Sequence, residues 1–531
     1  MKIPTRNMRR PRALTRTVTA FSLATVMVAG GAALATAAES GGRAAGAALT
    51  PAADCAALGA LTLADVQVTA ATEVAATASV PGYCRILGTE VGTEHDLEVR
   101  LPDEWLNRYV QNGGGGFDGR IPSIPDSQLS LGAVAAANNG GHRDPSGAAL
   151  LGNPEAQARY AHTAIETTAR FSKELAARYY GAVPVKARAY GNAFGHANGT
   201  FNQGRGATPL NARTAEPSYS YYVGCSNGGR GALNAAAKYS DEFDGVIAGA
   251  PTQNLDGQIA AWTRMAKLQL PSAEEVAAIE AVIVAKYDAL DGLKDGIVSN
   301  MEAVDFNPST DIPAEIGLTA AETEAVAAVM SDVVAFGETI YSRYSVPGAG
   351  DRYGLGVGHM RNLVLNDPTW DQSTFDILTY LPTIQQAIGA LGSNASAQGL
   401  ADFMDEGKKV MVWHGTADPL LSENDTVRKW NEVREAAGDS IADDNSRLYL
   451  APGVAHCRGG AGADNFDLLP AMIDWVEGDL PPGKIIASKI DPASGGTLFT
   501  RPLCEYPTYP RYSGVGDTND AASFDCVENT P

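Results

Sequence analysis

A serine that attacks a carbonyl needs a turn that exposes it, a base that takes its proton and a carboxylate that orients the base. Residues Gly224-Cys225-Ser226-Asn227-Gly228 fit the pattern Gly-x-Ser-x-Gly. Tyr219 to Val223 before them reads as a short buried strand, and Gly229 to Tyr239 after them as a helix with an Ala-rich face. Strand, tight turn, helix is the context in which this pattern forms a nucleophile elbow. Such a turn strains its serine, and a Cβ at either flanking glycine would meet a neighbouring strand or helix. Of the seven histidines only His359, His414 and His456 follow Ser226. In elbow folds the order along the chain is serine, acid, histidine. His456, in a loop just after an expected strand, suits the base. His414 ends a strand and reads as a satisfied structural residue, and His359 could touch a substrate. Asp418 follows the strand over 410–413 by one short turn, at the carboxyl edge where active sites gather in open α/β folds. Asp425, Asp443, Asp444, Asp464 and Asp467 come equally late in the chain but read as solvated charge.

The tetrahedral intermediate needs an oxyanion hole. The N–H of Asn227, directly after the nucleophile, is one expected donor. The run Asn112-Gly113-Gly114-Gly115-Gly116-Phe117, entered from a strand over 108–111, offers the other from Gly115 or Gly116. Four consecutive glycines pack poorly and stiffen nothing, so their use lies in a close approach to the backbone. Ser226, His456 and Asp418 would then carry out ester hydrolysis through an acyl-enzyme.

These residues need a sheet to stand on. Strands are expected from the alternation over 54–99, over 97–101, at 245–250, at 408–414 and at 447–450. Helices are expected over 153–180, with Asn153 as cap and Pro154 at the first position, and over 468–477. Strands alternating with helices imply a parallel sheet covered by helices. The expectation is an α/β fold of the α/β-hydrolase type. Its first part runs over 38–251 and its second over 391–531. Between them, 252–390 lacks a buried strand run and reads as a large inserted lid, with helices over 273–287 and 319–336. Residues 190–217 read as a long Gly/Asn/Arg loop.

The chain has 531 residues, 45% of them hydrophobic and 19% charged, with a formal net charge of −21. Nucleic acids and anionic membranes demand a basic footprint, so the acidity argues against both as partners. Six basic residues and no acid precede or begin an apolar Ala/Gly stretch over 18–33, and Ala35-Thr36-Ala37 supplies small residues for cleavage. Residues 1–37 therefore read as a signal peptide, with Arg9-Arg10 hinting at twin-arginine export, and the mature protein as secreted and free of the membrane. Six cysteines in an exported chain suggest disulfides, with fifteen possible connectivities. Proximity favours Cys55 with Cys84 and Cys504 with Cys526, which leaves Cys225 for Cys457. Those two flank Ser226 and His456, so contact between nucleophile and base would bring them together.

The arrangement Cys225-Ser226, Asp418, His456-Cys457 resembles that of the tannase/feruloyl esterase family of serine esterases. So do Leu101-Pro102 with Trp105, Gly113 to Gly119, Gly245 to Pro251, Asp367 to Trp370 and Gly516 to Cys526, so that the resemblance spans nearly the whole mature chain. It implies a small-molecule substrate, an ester of a hydroxycinnamic, gallic or terephthalic acid, with no organic cofactor. It also implies a structural calcium site in the lid, matched by Asp288, Asp291 and Asp295 with the carbonyls of Leu293 and Ile297. Oxygen ligands at alternate positions of a Gly-containing loop suit this hard cation. The chain departs from the family in having Tyr287 where a cysteine is common, with no second cysteine downstream. Two other readings are aliphatic hydroxyacid esters as substrates and a non-catalytic binding protein.

Overall fold

Apolar residues spaced two apart build the first part of the sheet. Val66 and Val68, Cys84 and Ile86, then Leu97, Val99 and Leu101 are all buried on one side, as expected for strands with one face on the core. They lie on strands Val66–Val74, Tyr83–Glu90 and Asp96–Pro102, which pair antiparallel. Next come Ala133–Asn138, Arg108–Asn112, Tyr219–Cys225, Gly245–Gly249, Lys409–Gly415 and Ser446–Ala451, all mutually parallel. With the short edge strand Thr62–Leu63 the sheet has ten strands. The structure is a computed structural model describing residues 48–181, 217–348 and 353–529. The expected signal over 1–37 and nearly all of the loop over 190–217 lie outside those residues.

The parallel strands are covered on both faces. Val246, Ala248, Val410 and Val412 pack with helices Ala164–Tyr180, Asn227–Lys238 and Glu423–Ala437. Their alternates Ile247 and Met411 pack with helix Leu469–Gly478. This is the α/β architecture the sequence implies. Among the described residues no helix is long and apolar enough to cross a membrane.

Between Gly245–Gly249 and Lys409–Gly415 the chain makes its long excursion. Helices Leu255–Met265, Ala273–Tyr287, Gly354–His359 and Ile377–Leu391 dominate it. The expected helix over 319–336 is only Ala320–Val329. Beyond it Val333–Ala335 pairs with Glu338–Tyr341 in a hairpin that the sequence reading lacked. Phe336 and Gly337 both take positive φ, 54° and 85°, which suits a tight hairpin turn and ends any helix. The tail from 478 is likewise more ordered than its Pro/Gly content implied. Ile485–Ile490 pairs with Thr497–Leu503, and Tyr509–Tyr512 with Phe524–Val527.

Candidate active site

The elbow is built as its glycines require. Ser226 sits between strand Tyr219–Cys225 and helix Asn227–Lys238 at φ 64°, ψ −124°, a conformation costing a non-glycine residue on the order of 1–3 kcal/mol. Its N–H donates to Gly249 O at 2.9 Å, and its carbonyl accepts from Arg230 and Thr252. A Cβ on Gly228 would lie 2.6 Å from Gly114 O, and one on Gly224 would strike the Gly228 backbone. The elbow and the glycine loop therefore touch backbone to backbone.

The glycine loop splits into two kinds of residue. A Cβ on Gly113 would come 2.6 Å from Gly228 Cα, whereas Cβ atoms on Gly115 and Gly116 would meet nothing within 4 Å. Close approach explains Gly113, and open space in the cavity wall explains the other two. Gly113 N–H is committed to Val223 O. Gly115 O accepts from Asp118 N–H at 2.9 Å, and Gly116 O from the Tyr160 hydroxyl at 3.1 Å. Those bonds hold the carbonyls and leave the Gly115 and Gly116 N–H groups without a partner among the described residues.

Asn227 is clamped from both ends. Its Nδ2 donates to Asp118 Oδ1 and its Oδ1 accepts from Arg230 Nε at 2.8 Å. Arg230 is buried and also donates to the carbonyls of Tyr160 and Ala161. Burial pushes the Asp118 carboxyl up to about 7, against the lowering effect of the Asn227 hydrogen bond.

Asp418 lies wholly buried at the end of strand Lys409–Gly415. Its Oδ2 accepts from His456 Nδ1 at 2.7 Å and from His414 Nε2 at 3.1 Å. Its Oδ1 accepts the N–H groups of Leu420 and Leu421 at 2.8 and 3.0 Å. Burial alone would raise this carboxyl, but the bonds and charges of the two histidines outweigh it and hold the group well below the usual range. Because a carboxylate only accepts, His456 carries its proton on Nδ1 and turns Nε2 outward. His414 is structural, as expected, yet its bond to Asp418 escaped the sequence reading. Its other nitrogen meets Thr426 Oγ1 at 2.8 Å.

Ser226, His456, Asn227 and the glycines Gly113 to Gly116 line one cavity of about 610 Å³. No hydrogen bond joins Ser226 Oγ to His456 among the described residues; in ligand-free enzymes such bonds often tighten only when substrate arrives. Cys225 and Cys457, at the cavity edge, form a disulfide with Cα atoms 6.0 Å apart. Cys55–Cys84 and Cys504–Cys526 form the other two. A second cavity, about 710 Å³, lies between Trp430 and Cys526 and is lined by none of Ser226, Asn227, His456 and the glycines Gly113 to Gly116.

The sequence profile of the family described as Tannase and feruloyl esterase matches this chain over residues 84–207, 194–379 and 358–527. The chain belongs to this family. It is a carboxylic ester hydrolase of that kind. It is 28% identical over 472 residues to a probable feruloyl esterase of Arthroderma benhamiae, covering 81% of each chain. It is 26% identical over 560 residues to the mono(2-hydroxyethyl) terephthalate hydrolase of Piscinibacter sakaiensis, covering 86% of this chain and 87% of that one. In fold it is similar to feruloyl esterase B from Aspergillus oryzae, with a TM-score of 0.73 at 23% identity over 88% of this chain and 98% of that one.

Two of the charge readings need revision within this family frame. Asp425 is not solvated: it is 3% exposed, accepts from Ser342 N–H and Asn254 Nδ2, and pairs with Arg428 at 2.6 Å. Asn254 caps helix Leu255–Met265, so Asp425 ties the excursion to the body. Asp464 accepts from Gly459 N–H and pairs with Lys489, which fixes the loop after His456.

The loop over 288–297, where a calcium ion is expected, offers oxygen donors, which suit such an ion. Asp288 and Asp291 are buried, and burial raises the Asp291 carboxyl. Asp288 accepts from the N–H of Asp295 and Gly296, Asp291 from those of Leu293 and Ser299. Asp295 pairs with Arg501 at 2.5 Å. Among the described residues no group of three or more acidic, histidine or cysteine side chains is placed to hold a metal ion. Tyr287 buries its ring and gives its hydroxyl to Asp305 O, in the place of the family cysteine.

Proposed function

We propose that the protein is a secreted serine esterase that cleaves esters of aromatic acids through an acyl-enzyme. The observation that carries the reading is the Asp418–His456 pair, at 2.7 Å, facing the same cavity as a strained Ser226 and stapled to it through Cys225–Cys457. Nε2 of His456, left free by the Asp418 bond, takes the Ser226 proton as Oγ attacks the ester carbonyl. Asp418 keeps the tautomer and stabilises the imidazolium. The N–H groups of Asn227 and of Gly115 or Gly116 receive the oxyanion, held in place by Asp118, Arg230 and Tyr160. His456 then protonates the leaving alcohol and activates the water that releases the acid.

Three disulfides and the homology to feruloyl esterases support export. The names of the relatives and the presence of Trp262, Leu255 and Leu355 in the cavity wall support the substrate class. A structural calcium ion at Asp288 and Asp291 remains part of the proposal, supported by two buried carboxylates on one loop.

The test is a panel of methyl ferulate, chlorogenate, methyl gallate, mono(2-hydroxyethyl) terephthalate and p-nitrophenyl acetate, run with wild type and Ser226→Ala. The reading expects aryl ester turnover that falls by at least about 10⁴-fold in the variant. Undiminished hydrolysis by Ser226→Ala would remove the elbow assignment. Activity on p-nitrophenyl acetate alone would leave the serine standing and remove the aromatic acids.

A further inference from the structure

The lining of the cavity beside Ser226 is exposed in part and buried in part. Arg458, Gly115 and Gly116 are exposed. The buried part is made by helix Leu255–Met265, whose Leu255, Gln258 and Trp262 share a face at spacings of three and four, and by His359 of helix Gly354–His359. All four side chains are buried. A leaving alcohol needs a way out to water, which suits the exposed part. The acyl group, held covalently on Ser226, is then left the buried end.

That end has an unusual polar inventory. Gln258 is 1% exposed, and its Nε2 has no hydrogen-bond partner. Its Oε1 has no partner among the described residues either; folded proteins rarely leave a buried amide empty, and a side chain that lines a cavity can turn its amide to what enters. The amide stands on a rigid element. Asn254 caps the helix and is held by Asp425, while Trp262 Nε1 donates to Leu420 O at 3.0 Å. None of Leu255, Gln258, Trp262 and His359 is a cation; the nearest, Arg230, lies behind the Tyr160 ring and is held by Asn227 and by the carbonyls of Tyr160 and Ala161. His359 donates from Nδ1 to Leu355 O at 2.8 Å, so its neutral ring keeps Nε2 as an acceptor, 3.3 Å from the Tyr160 oxygen whose one proton is shared with Gly116 O. Burial pushes its pKa down to about 4.

We infer that Gln258 reads the acid half of the substrate by hydrogen bonding an uncharged oxygen on its ring, such as an aryl hydroxyl, and that an acyl carboxylate is refused there. A hydroxyl both donates and accepts and so satisfies a primary amide either way round. A carboxylate in the same place would be buried with no cation among the side chains it touches. Gln258 is thus a specificity-determining residue, and the inference rests on the aromatic-acid reading above.

The experiment compares kcat/KM for the methyl esters of cinnamic, 4-hydroxycinnamic, 4-methoxycinnamic and 4-carboxycinnamic acids, with p-nitrophenyl acetate as a short-acyl reference. Wild type should prefer the 4-hydroxy ester over the unsubstituted one by on the order of tenfold, the value of one neutral hydrogen bond. It should turn over the 4-carboxy ester most slowly. In Gln258→Leu the hydroxy preference should collapse to about twofold or less. The wild-type series needs no variant, so a misfolded Gln258→Leu leaves the question decidable. Equal wild-type rates on the hydroxy and unsubstituted esters, a variant that keeps the preference, or efficient cleavage of the 4-carboxy ester would each overturn the inference while leaving the aromatic-acid reading intact. Cleavage of p-nitrophenyl acetate with no cinnamoyl ester accepted would overturn both.

Discussion

The Cys225–Cys457 disulfide joins residues 232 apart in sequence, far more than the separations of 29 and 22 closed by the other two. Loop-closure entropy gives about 5.5 kcal/mol for the long loop and about 3.5 kcal/mol for each short one. Replacing both cysteines by alanine at 225 and 457 should therefore destabilise the protein by about 2 kcal/mol more than the same change at 504 and 526. A second effect separates this pair from the others. Cys225 is bonded to the nucleophile and Cys457 to the base, so relaxing the link lets Ser226 and His456 drift apart. A displacement near 1 Å between reacting groups costs on the order of 100-fold, and kcat should fall by about 10- to 100-fold while KM changes little. Urea unfolding of the three paired variants, with initial rates on one aryl ester, provides the assay. The reasoning is refuted if the 225/457 variant unfolds no more readily than the 504/526 variant and turns over at the wild-type rate.

Two further outcomes are expected. Asp118, raised to about 7 from 3.8 by burial, contributes stability that is fully present below about pH 4 and lost as pH rises through about 7. Measured against Asp118→Asn, wild type should lose about 2–3 kcal/mol of stability between pH 5 and pH 8; a difference that does not move with pH would show that the group titrates normally. Calcium at 100 times its dissociation constant should stabilise the folded protein by about 2.7 kcal/mol, and chelation should lower the unfolding temperature. Loss of that response in Asp291→Asn would place the ion in the loop, and an unfolding temperature indifferent to both calcium and chelator would dismiss it.

How much of this was legible in the sequence depended on whether the cause was local. The elbow could be read from five residues because the pattern, the strand before it and the helix after it are contiguous in the sequence. The disulfide pairs followed from spacing, and Asp418 from its place just past a strand. Ala133–Asn138 gave no such signal: a strand buried on both faces has no alternation to show, and Ala-Val-Ala-Ala-Ala-Asn carries little strand propensity. Asp425 was misread because an aspartate in the first turn of an acidic helix resembles any other; its partners Asn254 and Ser342 come from far along the chain. Gln258 was invisible for the same reason. A lone glutamine between apolar residues reads as the edge of a helix face, and only the fold shows that it lines the Ser226 cavity with its amide unpartnered.

The excursion over 252–390 leaves the sheet at the end of Gly245–Gly249, and the chain returns through helix Ala397–Asp405 to the neighbouring strand Lys409–Gly415. Cut out, it would leave an ordinary right-handed crossover. A different excursion could stand on the same sheet if it kept the groups that meet the body, among them Asn254 and Ser342 at Asp425, Tyr341 at Ser422 and Asp295 at Arg501. Ser226, Asp418 and His456 sit outside the exchanged piece. New substrates can be acquired by recombination of whole segments, without passing through sequences in which the reacting groups are disturbed.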